Sequence, residues 1–194
     1  SPMMEFPEIL MPFICLLVSG GHSMIVDVKA KGDYEIIGQS QDDAVGEAFD
    51  KVGKLLGLPY PGGPHIEKLA LKGNPKAYDF PRPMIHSDNL DMSLSGLKTA
   101  VLYTVQKVKE INNHIKADIA ASFQKAVTDV LIAKIKKTIN QTNRSDVIIA
   151  GGVAANKYIR KEFKELENTL NIRVYYPDLK YCGDNAAMIA FVGS

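Results

Sequence analysis

Cysteine is scarce in this sequence. The only two, Cys15 and Cys182, stand far apart and in no C-x-x-C pattern. They make neither a disulfide framework nor a zinc knuckle, which points to a reducing compartment. Charge of one sign is equally scarce. Against 23 lysines and arginines stand 22 aspartates and glutamates, leaving a formal charge of +1, so the chain does not coat nucleic acid by bulk electrostatics; a local basic patch or a partner subunit is still compatible with that balance. Long apolar runs are missing too. Leu10 to Val18 is interrupted by Pro12, is far too short to cross a bilayer, and has no signal-peptide pattern, so no membrane attachment is expected. The four histidines, His22, His65, His86 and His114, form no H-x-x-x-H or H-E-x-x-H pair, and neither G-x-G-x-x-G nor a Walker A lysine occurs. There is no internal repeat and no low-complexity linker. What is present is ordinary for a globular protein: 46% apolar and 23% charged residues over 194 positions, enough for one substantial core with or without a helical insertion.

Pro12 to Val18 (PFICLLV) is a continuous apolar run suited to a strand buried on both faces. Ser19-Gly20-Gly21 then turns the chain into a second strand over residues 24–29, giving a hairpin with glycines at its tip. A third strand is expected at Tyr34–Ile37. From about residue 40 to 115 the pattern changes to helices and proline-rich loops. Ser40 and Asp43 predict a capped helix start, Val45, Phe49, Val52 and Leu56 its apolar stripe, and Gly57 its end. After the loop Leu58–Pro64 (LPYPGGP), Pro64 is placed to open the next helix and Gly73 to close it. Ile115, Ile119, Phe123, Val127, Leu131, Ile135 and Ile139 recur every four residues and predict a long amphipathic helix. Asp146–Ala150 reads as a buried strand, followed by Gly151-Gly152 and a helix from about Asn156. Arg173–Tyr176 predicts another strand and Asp184–Val192 a final helix. The order is α/β: a sheet with covering helices.

Several segments carry chemistry, each with a plainer alternative. In Leu17–Ser23 (LVSGGHS), two glycines let backbone N–H groups approach a phosphate and Ser19 adds a hydroxyl; a tight turn accounts for the same residues. In Ile148–Asn156 (IIAGGVAAN), a strand runs into Gly-Gly and a helix, at the strand end where open α/β sheets bind ligands, and Asn156 can bond a nucleoside or simply cap the helix. Glu47, Asp50 and Lys51 in GEAFDK lie off the apolar stripe and face either a cleft or solvent. The LPYPGGP loop with Glu67 one turn on builds either a binding wall or a corner. Asp184 in YCGDNAAM is a metal ligand or a helix cap. Lys51, Lys54, Lys68 and Lys72 are phosphate contacts or a solvated face.

Taken in order, LVSGGH, GEAFDKVGKLLGLPYPGGP, FPRP, SLSGLKTA, AASFQKAV, GGVAAN and DNAAMIA resemble the TsaD family, the bacterial and mitochondrial threonylcarbamoyl transferases acting on tRNA. The resemblance covers nearly the whole chain. It implies an ASKHA architecture, the two-lobed fold of actin and sugar kinases, with residues 1–194 as the C-terminal lobe and the insertion at about 40–115 included. It implies transfer of the threonylcarbamoyl group from threonylcarbamoyl-AMP to N6 of the adenosine beside the anticodon in tRNAs reading ANN codons. By analogy Leu17, Val18, Ser19, Gly20 and Gly21 bind the adenylate or its phosphates, and Asp50, Gly63, Glu67, Gly151, Gly152 and Asn156 match substrate or nucleoside positions. Asp184 matches one ligand of an iron or zinc ion acting as Lewis acid, whose histidine pair belongs upstream of Ser1, as does the N-terminal lobe. This stretch by itself is therefore expected to be metal-free and inactive. Asp50 is the candidate catalytic base. ATP, AMP or threonylcarbamoyl-AMP is the implied ligand. The implied partners are tRNA with a TsaB-like paralogue and a TsaE-like ATPase, or a second copy, in the bacterial cytoplasm or mitochondrial matrix. A small-molecule kinase on the same fold and a non-catalytic assembly subunit are the competing functions.

Overall fold

The computed structural model describes residues 2–108, 110–183 and 186. A single helical turn, α1 (Pro2–Glu5), precedes three antiparallel strands: β1 (Phe13–Val18), β2 (Ser23–Ala30) and β3 (Asp33–Gln39). Three helices follow, α2 (Val45–Leu55), α3 (Gly62–Ala70) and α4 (Ser95–Lys107), then the 30-residue α5 (Asn113–Thr142). Strand β4 (Asp146–Ala150), a 3-10 turn (Gly152–Ala155), α6 (Lys157–Leu170), β5 (Arg173–Tyr175) and a second 3-10 turn (Leu179–Tyr181) complete the described elements. The sheet runs β3-β2-β1-β4-β5, with β4 parallel to β1 and β5 parallel to β4. The expected final helix at Asp184–Val192 lies outside the described residues.

Alternation decides which sheet face carries the core. Ile14, Leu16 and Val18 of β1, Ile25 of β2, and Val147 and Ile149 of β4 are fully buried in one apolar cluster with the helices. On the opposite face Phe13 and Ile148 pack with Ile9, and Met3, Phe6 and Tyr175 partly cover them. Both cysteines are free thiols, and burial pushes that of Cys15 up to about 11, so it is inert at neutral pH.

The expected stripe on α5 is present: Ile119, Phe123, Val127, Leu131 and Ile135 are all buried. The helix is nevertheless not amphipathic. Ala120, Ser122, Gln124, Thr128, Lys134 and Thr138, on other faces, are buried as well, because α3, α4 and α6 all pack against it. Lys134 is the extreme case. Its ammonium donates to Ser87 Oγ (2.7 Å) and the Asn89 carbonyl (3.0 Å), which pins loop 84–90 to the helix. Burial, reinforced by the charge of Lys137, lowers its pKa.

Two other expectations about helix ends change. Asp43 does not cap α2; Ser23 Oγ accepts from Val45 N–H (2.8 Å), and Glu47 accepts from Ala44 N–H (3.3 Å). Asp43 is instead held between the ammonium groups of Lys51 (2.7 Å) and Lys98 (2.9 Å). Next to it Asp42 accepts from both Ser93 and Ser95 and from Leu94 N–H, tying the α4 entrance to the α2 entrance. Gly73 does not close α3, which ends at Ala70. A Cβ there would collide with the Ala117 carbonyl, so the residue is glycine to let the loop lie against α5.

Two measurements check this packing. Phe49 and Phe123 meet edge to face with centroids 5.1 Å apart, and Phe123→Ala should cost about 3–5 kcal/mol in chemical denaturation. Burial raises the Asp43 pKa, but the two lysines outweigh it and hold the carboxyl below the usual carboxylate range. A depressed folded pKa contributes stability above the unfolded value, near pH 4, that is lost as pH falls through the folded value. Asp43→Asn should therefore cost roughly 2 kcal/mol at neutral pH. The gap in melting temperature from the parent should shrink as acid is added below about pH 4.

Candidate functional site

Because β1 and β4 are parallel neighbours, their carboxyl ends lie side by side, with Leu17 opposite Ala150. The two glycine turns leave from there. Gly151 adopts φ +95°, and a Cβ on it would collide with the Val18 carbonyl, so the second turn rests directly on the first strand. Gly46, at the start of α2, sits equally close to the Ser19 carbonyl and Gly20, and its N–H donates to that carbonyl (3.0 Å). Farther along, Gly53 and Gly62 let α2 and α3 touch backbone to backbone.

These approaches enclose a cavity of about 330 Å³ between the two turns, α2, α3 and the LPYPGGP loop. Of the residues singled out from sequence, Gly20, Asp50, Gly63, Glu67, Gly152 and Asn156 line it together. Gly20 and Gly152 differ from the packed glycines. Neither has positive φ, and nothing lies within 4 Å of where a Cβ would stand. Their missing side chains leave space in the cavity, where a flat group can meet bare backbone. Phe49 forms an apolar wall, backed by Phe123.

The polar side chains double as stitches between elements. Asp50 Oδ1 accepts from Gly62 N–H at 2.7 Å. Glu67 Oε1 accepts from Lys157 N–H at 2.8 Å, across from α3 to α6. Asn156 is 7% exposed; its Oδ1 accepts from Ile159 N–H (3.0 Å) as the cap of α6, and its Nδ2 donates to Gln124 Oε1 (2.8 Å). Among the described residues, Asp50 Oδ2 and Glu67 Oε2 take no hydrogen bond, and a carboxylate oxygen accepts only. The cavity therefore offers acceptors to hydroxyl or amino groups, and backbone at the glycines to anything negative.

The remaining candidates fall elsewhere. Leu17 and Val18 belong to β1, and Gly151 supports the turn; none of the three lines the cavity. Gly21 is also off its wall, and Ser19 Oγ is engaged within the hairpin tip, accepting from Gly21 (3.3 Å) and His22 (3.0 Å) N–H. Glu47 and Lys51 pair with each other (2.8 Å) rather than facing the cavity. Asp184 lies outside the described residues. Among those described, no three His, Cys, Asp or Glu side chains converge as a metal site, and no helix is long and apolar enough to cross a membrane. Sequence reasoning passed over Gln124, Phe49 and Tyr60. Gln124 stood in the AASFQKAV segment, next to Phe123 but off the apolar stripe, so its periodicity gave no signal.

Several known proteins are similar to this chain. The family model of TsaD, tRNA N6-adenosine threonylcarbamoyltransferase, matches residues 1–191. A protein of that name from Neisseria gonorrhoeae is 49% identical over 212 aligned residues, covering 100% of this chain and 60% of its own. One from Thermosipho africanus is 52% identical over 188 residues, covering 97% and 57%. The chain thus spans about 60% of the length of the curated relatives it matches. Among solved structures, full-length HypF in a phosphate- and nucleotide-bound form superposes with a TM-score of 0.71 at 14% identity, over 94% of this chain and 32% of that one. That likeness concerns the fold, and with the family match it makes the architecture the expected ASKHA type. With its glycine turns, GEAFDK helix and LPYPGGP loop gathered around one cavity, the chain belongs to the TsaD family.

Proposed function

We propose that the whole protein transfers the threonylcarbamoyl group from threonylcarbamoyl-AMP to N6 of the adenosine beside the anticodon in tRNAs reading ANN codons. In this proposal residues 1–194 supply the C-terminal, nucleotide-holding lobe, with α2 to α4 as its insertion. The observation that carries it is the pair of open glycines, Gly20 and Gly152, facing the same cavity as Asp50 and Glu67. Space without a packing or backbone reason is what a flat nucleoside needs, and free carboxylate oxygens suit its hydroxyl and amino groups.

In the reaction the N6 nitrogen attacks the carbamoyl carbon. A C–N bond forms, the C–O bond to phosphate breaks, AMP departs, and the nitrogen loses one proton. The chain's contribution is chiefly positioning. Phe49 and the glycine backbone hold the adenosine moiety of the donor, Glu67 Oε2 fixes a hydroxyl, and Asp50 Oδ2 is the acceptor for the amine proton. Asn156 holds Gln124 and the start of α6, so it shapes the wall. The turn at Ser19–Gly21 lies nearest the leaving phosphate. A divalent iron or zinc ion, with Asp184 as one ligand, belongs to this proposal; the described residues do not form its site, and no step here is assigned to it. tRNA, a TsaB-like paralogue and a TsaE-like ATPase, or a second copy, are the proposed partners, in the bacterial cytoplasm or the mitochondrial matrix.

The test is a calorimetric titration of the chain with AMP and ATP. Binding is expected, and Gly152→Val should weaken it about tenfold or more, equivalent to roughly 1.4 kcal/mol. The melting temperature of that variant should hardly move, since open space surrounds the new side chain. Equal affinity in the folded variant, or no binding by the folded parent, would remove the nucleotide from this cavity.

A further inference from the structure

Beside the cavity lies a second, larger groove of about 580 Å³, and the two share Pro64 and Glu67 as a common wall on α3. Its charged lining is lopsided. Lys68 of α3 and Lys157 and Lys161 of α6 line it, against one carboxylate, Glu67. Glu67 already accepts the Lys157 N–H. Among the described residues neither Lys68 nor Lys157 has a carboxylate partner, and Lys161 has only Glu165, at 3.9 Å. In a chain whose charge is balanced overall, three ammonium groups against one carboxylate in a single groove are a local excess of positive charge.

The second observation is Tyr60. It lines the cavity from the loop side and is 84% exposed, with a proline on each side. An exposed aromatic ring usually gains by being buried; here Pro59 and Pro61 restrict its backbone, so holding it out costs little further entropy on binding. An aromatic face at the mouth of a nucleoside-sized cavity, continuous with a lysine-lined groove, matches how proteins hold unstacked RNA: bases on rings, phosphates on cations.

We infer that the acceptor RNA docks as a single strand along α3, its phosphodiester backbone over Lys68, Lys157 and Lys161 and an unstacked base on Tyr60. This rests on the proposed reaction for its choice of RNA. It goes further in naming the surface and in separating a stacking contact from ionic ones. Leu71, 83% exposed beside the groove, adds apolar surface for the sugar edges.

The two kinds of contact respond differently to salt, which gives the test. Binding of a fluorescent anticodon stem–loop RNA to the chain is followed by anisotropy over a salt series. Lys68→Ala with Lys157→Ala and Lys161→Ala should lower the slope of log affinity against log salt by about 2, three lost contacts at roughly 0.7 each. Tyr60→Ala should weaken binding roughly tenfold with the slope unchanged, and Tyr60→Phe should restore it. Lys31→Ala with Lys136→Ala, on exposed sites of the β2–β3 turn and α5, serves as the control and should leave the slope alone. The inference is overturned if the triple variant keeps the parental slope, if the control lowers it equally, or if the folded parent binds no RNA. AMP titration of the same variants keeps the two proposals apart. Retained AMP binding with RNA binding insensitive to these residues rejects the docking surface alone, whereas no AMP binding by the folded parent rejects the cavity.

Discussion

The parallel pairing of β1 with β4 is the constraint on which the rest depends. Ile14 to Leu17 lie beside Val147 to Ala150, strands separated in sequence by the whole helical region. The pairing brings two glycine turns to the same edge of the sheet, and Gly151 rests on the Val18 carbonyl. A one-residue slip would turn the alternate residues of β4 over, bringing Asp146 and Ile148 to the face where Val147 and Ile149 now complete the core. Asp146 would lose its paired hydrogen bonds to Arg173 (2.6 and 2.7 Å). Hydrophobic register and ion pairing therefore agree on one alignment, and the cavity inherits its geometry from it.

Around that edge, polar groups act as fasteners. Asp42 gathers the α4 entrance, Asp43 bridges two lysines, Asp50 holds the start of α3, Glu67 the start of α6, and Asn156 joins α6 to α5. Arg82 of the FPRP segment does the same for its loop, with two hydrogen bonds to Asp129 on α5 (3.2 and 3.0 Å). Each uses a side chain to satisfy backbone or charge that would otherwise be unpaired at an element's end, where helices leave N–H groups open. A wall built of such fasteners is already in place before a ligand arrives, which reduces what binding must spend on ordering.

Much of this was legible from the residues. The buried runs at 13–18 and 146–150, the glycine tips and the stripe on α2 identified themselves by local pattern, since a strand's two faces and a helix's one face are written in short-range periodicity. The cavity's glycines, Asp50 and Glu67 could be singled out from the residues, but a turn and a ligand loop use the same residues, so only family resemblance favoured the ligand reading. What stayed hidden depends on contacts distant in sequence. Gly73 resembled a helix end, yet its reason is the Ala117 carbonyl on another helix. Asp43 resembled a cap, yet two lysines, one of them 55 positions away, claim it. The burial of α5 beyond its stripe could not be read from its period of four, since its alanines and hydroxyl residues carry no strong hydrophobic signal.

The same parallel pairing carries a consequence for the order of assembly. The β1–β2–β3 meander needs only neighbours in sequence and can form early, whereas β4 must return across more than a hundred residues to meet β1. Loop-closure entropy is charged before that contact repays it, so the sheet's completion is the slow event. During synthesis the meander and α2 emerge before the residues that form the opposite wall, and the cavity comes into being only when the turn after β4 closes over Gly20 and Gly46. Phe49 lacks its backing until α5 packs against it, and the edge of β1 that β4 will take is open to wrong pairing until β4 arrives.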